Sequence, residues 1–251
     1  MTGILKSLFS IFKQPKAHQP NEGGAMPVYL LLGQSNMVGM RSIADDLPKN
    51  LRRTQPYALF FSDGKWVELA PDVTEPKGFG PEISFSNAMA KKGETFGLIK
   101  VSAGATTLAS EWSPARADGF YAKTMKMVAE ARKSKNIRIA GVLWMQGESD
   151  GGTREMAEAY DHNLTNFIKT IRADLKSPSL PFVACRVTAP LEQFPFIQAV
   201  REAQAKQASA NYAWFDSDHL TKGPDSLHYD TAGQIKLGEL FAKSLKTIQP
   251  L

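Results

Sequence analysis

Short apolar runs alternate with longer amphipathic stretches along most of this chain. The short runs are Val28–Leu32, Phe96–Val101, Ile137–Met145, Phe182–Val187 and Ala213–Asp216. Runs of this length that lack polar alternation predict strands covered on both faces, as in a parallel sheet. The amphipathic stretches Pro81–Lys92, Tyr121–Ser134, Thr153–Leu175, Phe196–Ala210 and Thr231–Thr247 predict helices. The longest carries Met156, Tyr160, Leu164, Phe167, Ile168 and Ile171 at three-to-four spacing, one face of a helix. Strands alternating with helices predict the α/β class, here a three-layer α/β/α sandwich around a parallel sheet. Right-handed crossovers allow a flavodoxin-like strand order, 2-1-3-4-5.

Two regions break the alternation. Within residues 41–80, Tyr57–Phe61 and Lys65–Leu69 flank Asp63-Gly64 and predict a small β-hairpin insert. Residues 1–26 place Ile4, Leu5, Leu8, Phe9, Ile11 and Phe12 roughly on one helical face, with Lys6, Lys13 and Lys16 nearby. Three readings stand side by side. A signal peptide is weakened by Lys6 and by the lack of a small-x-small cleavage pattern before Pro20. An amphipathic helix would make peripheral membrane contact. A frayed arm would precede the Gln-Pro-Asn-Glu-Gly-Gly linker. The expected organisation is an arm or targeting segment over 1–26 and one domain over 27–251.

Composition narrows the class. A length of 251 residues with 43% hydrophobic and 22% charged residues fits one soluble globular domain, cytoplasmic or exported. The net charge of +5 comes from scattered Lys and Arg rather than a stripe, so no nucleic-acid partner is expected. Cys185 is the single cysteine; it excludes an intramolecular disulfide and reads as a small buried apolar residue. Oligomeric state is not legible.

The chemistry gathers where the predicted strands end. Val28–Leu32 runs into Gly33-Gln34-Ser35-Asn36-Met37; Gly33 permits a tight turn, which puts Ser35 at the C-terminal rim of the sheet. The second run ends in Ser102-Ala-Gly104-Ala-Thr-Thr, and the third in Gln146-Gly147-Glu148-Ser-Asp150. The last loop carries Asp225-Ser-Leu-His228. Acyl transfer needs a nucleophile, a base, an acid that orients the base, and donors for the oxyanion. Ser35, His228 and Asp225 can fill the first three roles. The Ser35 backbone N–H, the unobstructed Gly104 N–H and the Gln146 amide can fill the fourth.

Gly33-Gln-Ser-Asn-Met37, Trp144-Met-Gln-Gly-Glu-Ser149 and Asp225-x-x-His228 with the following Gly233-Gln234 together resemble the SGNH hydrolase superfamily. More narrowly, they are similar to its sialate O-acetylesterase-like branch, which includes acetylxylan esterases of carbohydrate esterase family six. The resemblance covers roughly Pro27 to the C-terminus. It implies a metal-independent, cofactor-free α/β/α serine esterase that removes acetyl groups from sugars, with Ser35 as nucleophile, His228 as base and Asp225 as orienting acid. It implies oxyanion donors at Ser35, Gly104 and Gln146, with Gln146 where other branches use Asn.

Each residue also has a plainer reading. Ser35 could be only a helix N-cap. Asp216-Ser-Asp-His219 is a second Asp-x-x-His, but it closes a strand, whereas His228 leads into a helix. His162 reads as surface. Glu148 could support the Gln146 loop, or it could orient His228, replacing or assisting Asp225. Glu148, Asp150 and Asp161 lack the spacing of a metal loop. Met37, Arg41, Phe79 and Trp112 follow motif loops and are candidates to line a sugar pocket; Trp66 and Trp214 read as core. A catalytically silent sugar-binding module and an SGNH lipase or thioesterase remain the rival functions. An α/β-hydrolase is disfavoured, because the Ser35 turn lacks the second glycine of a nucleophile elbow.

Overall fold

The computed structural model describes residues 24–75, 77–207 and 210–249. The expectations for the N-terminal segment up to residue 23, and for the end of the helix predicted to reach Ala210, lie wholly or partly outside them.

Among the described residues seven strands form one sheet. They are β1 (Met26–Gly33), β2 (Ala58–Ser62), β3 (Lys65–Glu68), β4 (Phe96–Ser102), β5 (Ile137–Met145), β6 (Phe182–Arg186) and β7 (Tyr212–Asp216). Their order is β3-β2-β4-β1-β5-β6-β7. With the hairpin set aside, the remaining five strands follow the predicted 2-1-3-4-5 order, all parallel. The hairpin is not a separate insert, however. β2 pairs in parallel with β4 and antiparallel with β3, which makes the sheet seven-stranded and mixed. The reason lies in β2, where Ala58, Leu59, Phe60 and Phe61 are all buried and behave as an interior strand. β3 is mostly exposed and carries Lys65 and Glu68, so it ends the sheet with a short charged edge. Asp63 and Gly64 both take positive φ, 48° and 75°, as a two-residue I′ turn requires.

Among the described residues six α-helices cover the sheet: α1 (Ser35–Val38), α2 (Glu82–Met89), α3 (Phe120–Ser134), α4 (Arg154–Asp174), α5 (Ile197–Lys206) and α6 (Thr231–Ile248). Side-chain alternation along the strands sends Trp144 to one face and Tyr29 to the other. Trp144 meets Phe167 of α4 with ring centroids 4.6 Å apart, and Trp112 stands edge-on to Trp144 at 5.2 Å. On the opposite face Tyr29 meets Phe85 of α2, and Phe215 meets Phe241 of α6 at 4.9 Å. Each such ring contributes about 1.5–3 kcal/mol through burial. The two longest helices are capped as their sequences ask: Thr153 accepts from Met156 N–H at 3.3 Å and Asp230 from Gly233 N–H at 2.8 Å. Cys185 is buried in β6, and burial pushes its thiol pKa up. Among the described residues no helix is long and apolar enough to cross a membrane.

Strand register then positions the site. Gly33 lies level with Ser102 of β4 and Met145 of β5, so three adjacent parallel strands end together. The loops that follow them leave the same rim side by side.

Candidate active site

The first of these loops turns sharply. Gln34 N–H bonds back to Met145 O at 2.9 Å, and a Cβ on Gly33 would stand 2.0 Å from that same oxygen. Only glycine lets β1 turn this close to β5. Ser35 opens α1, so its N–H has no carbonyl one turn earlier to bond. Ser35 is almost fully buried, and among the described residues its hydroxyl has no hydrogen-bond partner.

The last loop holds the imidazole. His228 Nδ1 lies 3.0 Å from Asp225 Oδ2, while Asp225 Oδ1 accepts the N–H groups of Leu227 and His228 at 3.1 and 2.9 Å. The loop closes on itself through Gly223 N–H to His228 O at 2.8 Å. Arg41, 62% exposed, adds its Nε to Asp225 Oδ2 at 3.1 Å. Burial acts to raise the Asp225 pKa, but the bonds from the His228 ring, the His228 and Leu227 N–H groups and Arg41 outweigh it. The carboxyl is held well below the ordinary carboxylate range. An ionised carboxylate on Nδ1 fixes the tautomer that leaves Nε2 free to accept a proton.

Asn36 joins the first loop to the last. Its Nδ2 donates to Leu227 O at 3.3 Å and its Oδ1 accepts from Tyr229 N–H at 3.1 Å. Its backbone oxygen accepts from Gln234 Nε2 at 3.0 Å. The residue after Ser35 thus bonds to both neighbours of His228, and so the serine turn is tied to the histidine loop. Asn36 Nδ2 also donates to Glu148 Oε1 at 2.8 Å. Glu148 is wholly buried, and burial raises its pKa despite the Asn36 bond. It steadies Asn36 rather than Gln146.

Gly104, on the loop after β4, borders Ser35: a Cβ built on it would stand 3.8 Å from the Ser35 Cβ. Its N–H has no hydrogen-bond partner among the described residues. Gln146 differs from expectation. Its Nε2 donates to Asp150 Oδ2 at 2.6 Å and to Thr106 O at 2.9 Å, with Gln34 Oε1 at 3.2 Å. Both amide hydrogens are engaged in a buried network, so Gln146 ties the loops together instead of offering a free oxyanion donor.

The expected pocket residues are corrected in the same way. Met37, Phe79 and Trp112 are completely buried, so none of them presents a surface to a sugar. The Trp112 indole N–H donates to Thr106 Oγ1 at 3.0 Å inside the aromatic cluster. Trp214, read as core, is 38% exposed and stacks under Arg186. Trp66 is partly buried and packs on Phe61. His219 is exposed just after β7, and Asp216 pairs with Arg186 instead of orienting it. His162 is exposed on α4. Asp150 accepts the Leu108 and Ala109 N–H groups, and Asp161 pairs with Lys206, so these two carboxylates and Glu148 hold three separate structures. No group of three or more His, Cys, Asp or Glu residues among the described ones is arranged to hold a metal ion.

Fold and site together define an ester hydrolase of the α/β class, with polar loops at the C-terminal rim of the sheet's parallel strands. The chain belongs to the carbohydrate esterase family described as sialic acid-specific acetylesterase, whose sequence model matches residues 25–247. It is a carboxylic ester hydrolase, as that family is. A probable carbohydrate esterase of Arabidopsis thaliana is 32% identical over 238 residues, covering 86% of this chain and 89% of the relative. A solved Arabidopsis thaliana structure superposes with a TM-score of 0.81 at 28% identity, covering 90% of this chain and all (100%) of that one. NanS shares the fold at a TM-score of 0.67 and 14% identity, covering 89% of this chain and 97% of that one.

Proposed function

We propose that this chain is a serine O-acetylesterase acting on an acetylated carbohydrate, with Ser35 as nucleophile, His228 as base and Asp225 as its orienting acid. The observation that carries the reading is the His228 Nδ1–Asp225 Oδ2 contact of 3.0 Å in a loop that Asn36 ties to the Ser35 turn. His228 Nε2 takes the serine proton as Ser35 Oγ attacks the acetyl carbonyl. The tetrahedral oxyanion is met by the N–H groups of Ser35 and Gly104. The imidazolium then protonates the departing sugar oxygen, and water repeats the sequence on the acetyl-enzyme.

Carbohydrate specificity draws support from family membership. The sugar and the acetylated position are tested by acetate release from a panel of acetylated sialic acid, acetylated xylan and acetylated peptidoglycan fragments. Turnover of one of these that is lost in Ser35→Ala supports the reading. Preference for long acyl esters over all acetylated sugars would replace it with a lipase or thioesterase activity. Failure to release acetate even from p-nitrophenyl acetate would favour a silent binding module.

A further inference from the structure

Ala105, next to Gly104, has a φ of +56°, the left-handed region that a side chain with a Cβ disfavours. It is exposed, so no core contact forces the conformation. A strained residue of this kind persists only where its surroundings over-determine it.

The surroundings trace to one carboxylate. Asp150 sits in the turn after β5 and is wholly buried. It reaches across to the loop after β4, where it accepts Leu108 N–H at 2.9 Å and Ala109 N–H at 3.1 Å. Its Oδ2 also accepts from Gln146 Nε2 at 2.6 Å, and Gln146 Nε2 in turn donates to Thr106 O at 2.9 Å. Thr106 completes the clamp by donating its hydroxyl to Ala103 O at 3.1 Å. Residues on both sides of Gly104 and Ala105 are therefore fixed. A carboxylate is costly to bury unless its oxygens are hydrogen-bonded, and here each has at least two donors. A neutral apolar residue could fill this volume at less cost but could not hold three donors from two loops.

We propose that Asp150 is a positioning residue: through Leu108, Ala109 and the Gln146–Thr106 bond it holds Gly104 and Ala105 so that the Gly104 N–H stands beside Ser35 to receive the oxyanion. The inference rests on the reading of Ser35 as nucleophile. An oxyanion donor is effective only if it is aimed before charge develops. Loss of its support therefore lowers kcat and leaves KM nearly unchanged.

Three variants test it on the full chain. Asp150→Asn turns a donor toward Gln146 Nε2 and is expected to lower kcat on the order of 100-fold with KM within about threefold. Adding Ala105→Gly, which relieves the left-handed strain, is expected to restore kcat at least about tenfold in the Asp150→Asn background. Ala105→Val places a β-branched residue at the same exposed position and is expected to lower kcat, with KM little changed. It keeps the test open if Asp150→Asn does not fold. A wild-type kcat in Ala105→Val, or a folded Asp150→Asn enzyme whose loss lies in KM or is not rescued by Ala105→Gly, would overturn the proposal. Ser35→Ala is measured alongside. Turnover retained there means that the nucleophile is wrong, whereas an inactive Ser35→Ala with a fully active Asp150→Asn sinks only the positioning role.

Discussion

Asn36 donates its side-chain amide to Glu148 Oε1 at 2.8 Å, and both side chains are cut off from solvent. This contact bears on which carboxylate orients His228. Glu148 spends its bonded oxygen on the turn after Ser35, while the ring Nδ1 of His228 already has Asp225 at 3.0 Å. Asp225→Asn is expected to cut kcat by up to about four orders of magnitude, through loss of the correct imidazole tautomer. Glu148→Gln keeps an oxygen that Asn36 can donate to, and is expected to cost clearly less. Both are measured on one acetylated substrate at one pH. A Glu148→Gln enzyme weaker than Asp225→Asn would transfer the orienting role.

The same two carboxyls give opposite signs in stability. Burial raises the folded pKa of Glu148, so the folded state holds that proton longer than the unfolded chain does. Its contribution to stability therefore falls as pH rises from the unfolded value of about 4.3 through the raised folded value. Asp225 is depressed in the folded state, so its contribution is present above its unfolded value of about 3.9 and is lost as pH falls through the folded one. Thermal melts of wild type and Glu148→Gln between about pH 4 and 8 should show the wild type losing stability relative to the variant as pH rises. Asp150, also raised by burial, leaves a residual slope of the same sign in both. A relative stability that instead rises with pH would show that Glu148 is stabilised as the anion.

Much of this was legible in the sequence, for identifiable reasons. Val28–Leu32 and Ile139–Met145 are apolar without a break because helices cover both faces, and that pattern survives without tertiary information. Asp225 and His228 lie three residues apart, so one loop brings them together and spacing alone could predict it. Asn36 and Glu148 are separated by 112 positions, and nothing local announces that the two meet. Met37 and Trp112 misled because they follow motif loops, yet the direction of a loop side chain depends on what packs beneath it. For Trp112 that is Trp144 and Phe167. Gln146 has the right chemistry for an oxyanion donor but points into Asp150 and Thr106, an outcome fixed by neighbouring loops. The hairpin was found, but its place in the sheet was not. The continuous apolar run Ala58–Phe61 was the available sign that β2 would be an interior strand.

The turn before Ser35 predicts a backbone effect. A Cβ on Gly33 would meet Met145 O at 2.0 Å and Met145 C at 2.7 Å, and both belong to a paired central strand. Neither side can yield without breaking the β1–β5 ladder. Gly33→Ala is therefore expected to destabilise by about 3 kcal/mol or more, read as a melting temperature lower by roughly 6–12 °C. A variant that melts with the wild type would mean that the turn has room the structure does not show.

The nucleophile and base should behave as one unit. Asn36 bonds to the residues on either side of His228, so the Ser35 turn and the His228 loop are held as a single piece rather than as two independent groups. Ser35→Ala and His228→Ala are each expected to lower kcat by several orders of magnitude, and the double variant to be little worse than either. That non-additivity separates a nucleophile–base pair from two residues that merely support the fold, whose losses would multiply. His219 supplies the internal control. It is exposed after β7, and its upstream Asp216 is engaged with Arg186, so His219→Ala should stay within about tenfold of wild type, or ~1.4 kcal/mol. Melting temperatures of all four variants establish that they are folded. If His219→Ala is inactive and His228→Ala turns over normally, the base belongs to the other Asp-x-x-His. If the Ser35 and His228 losses multiply, the two residues do not share a proton.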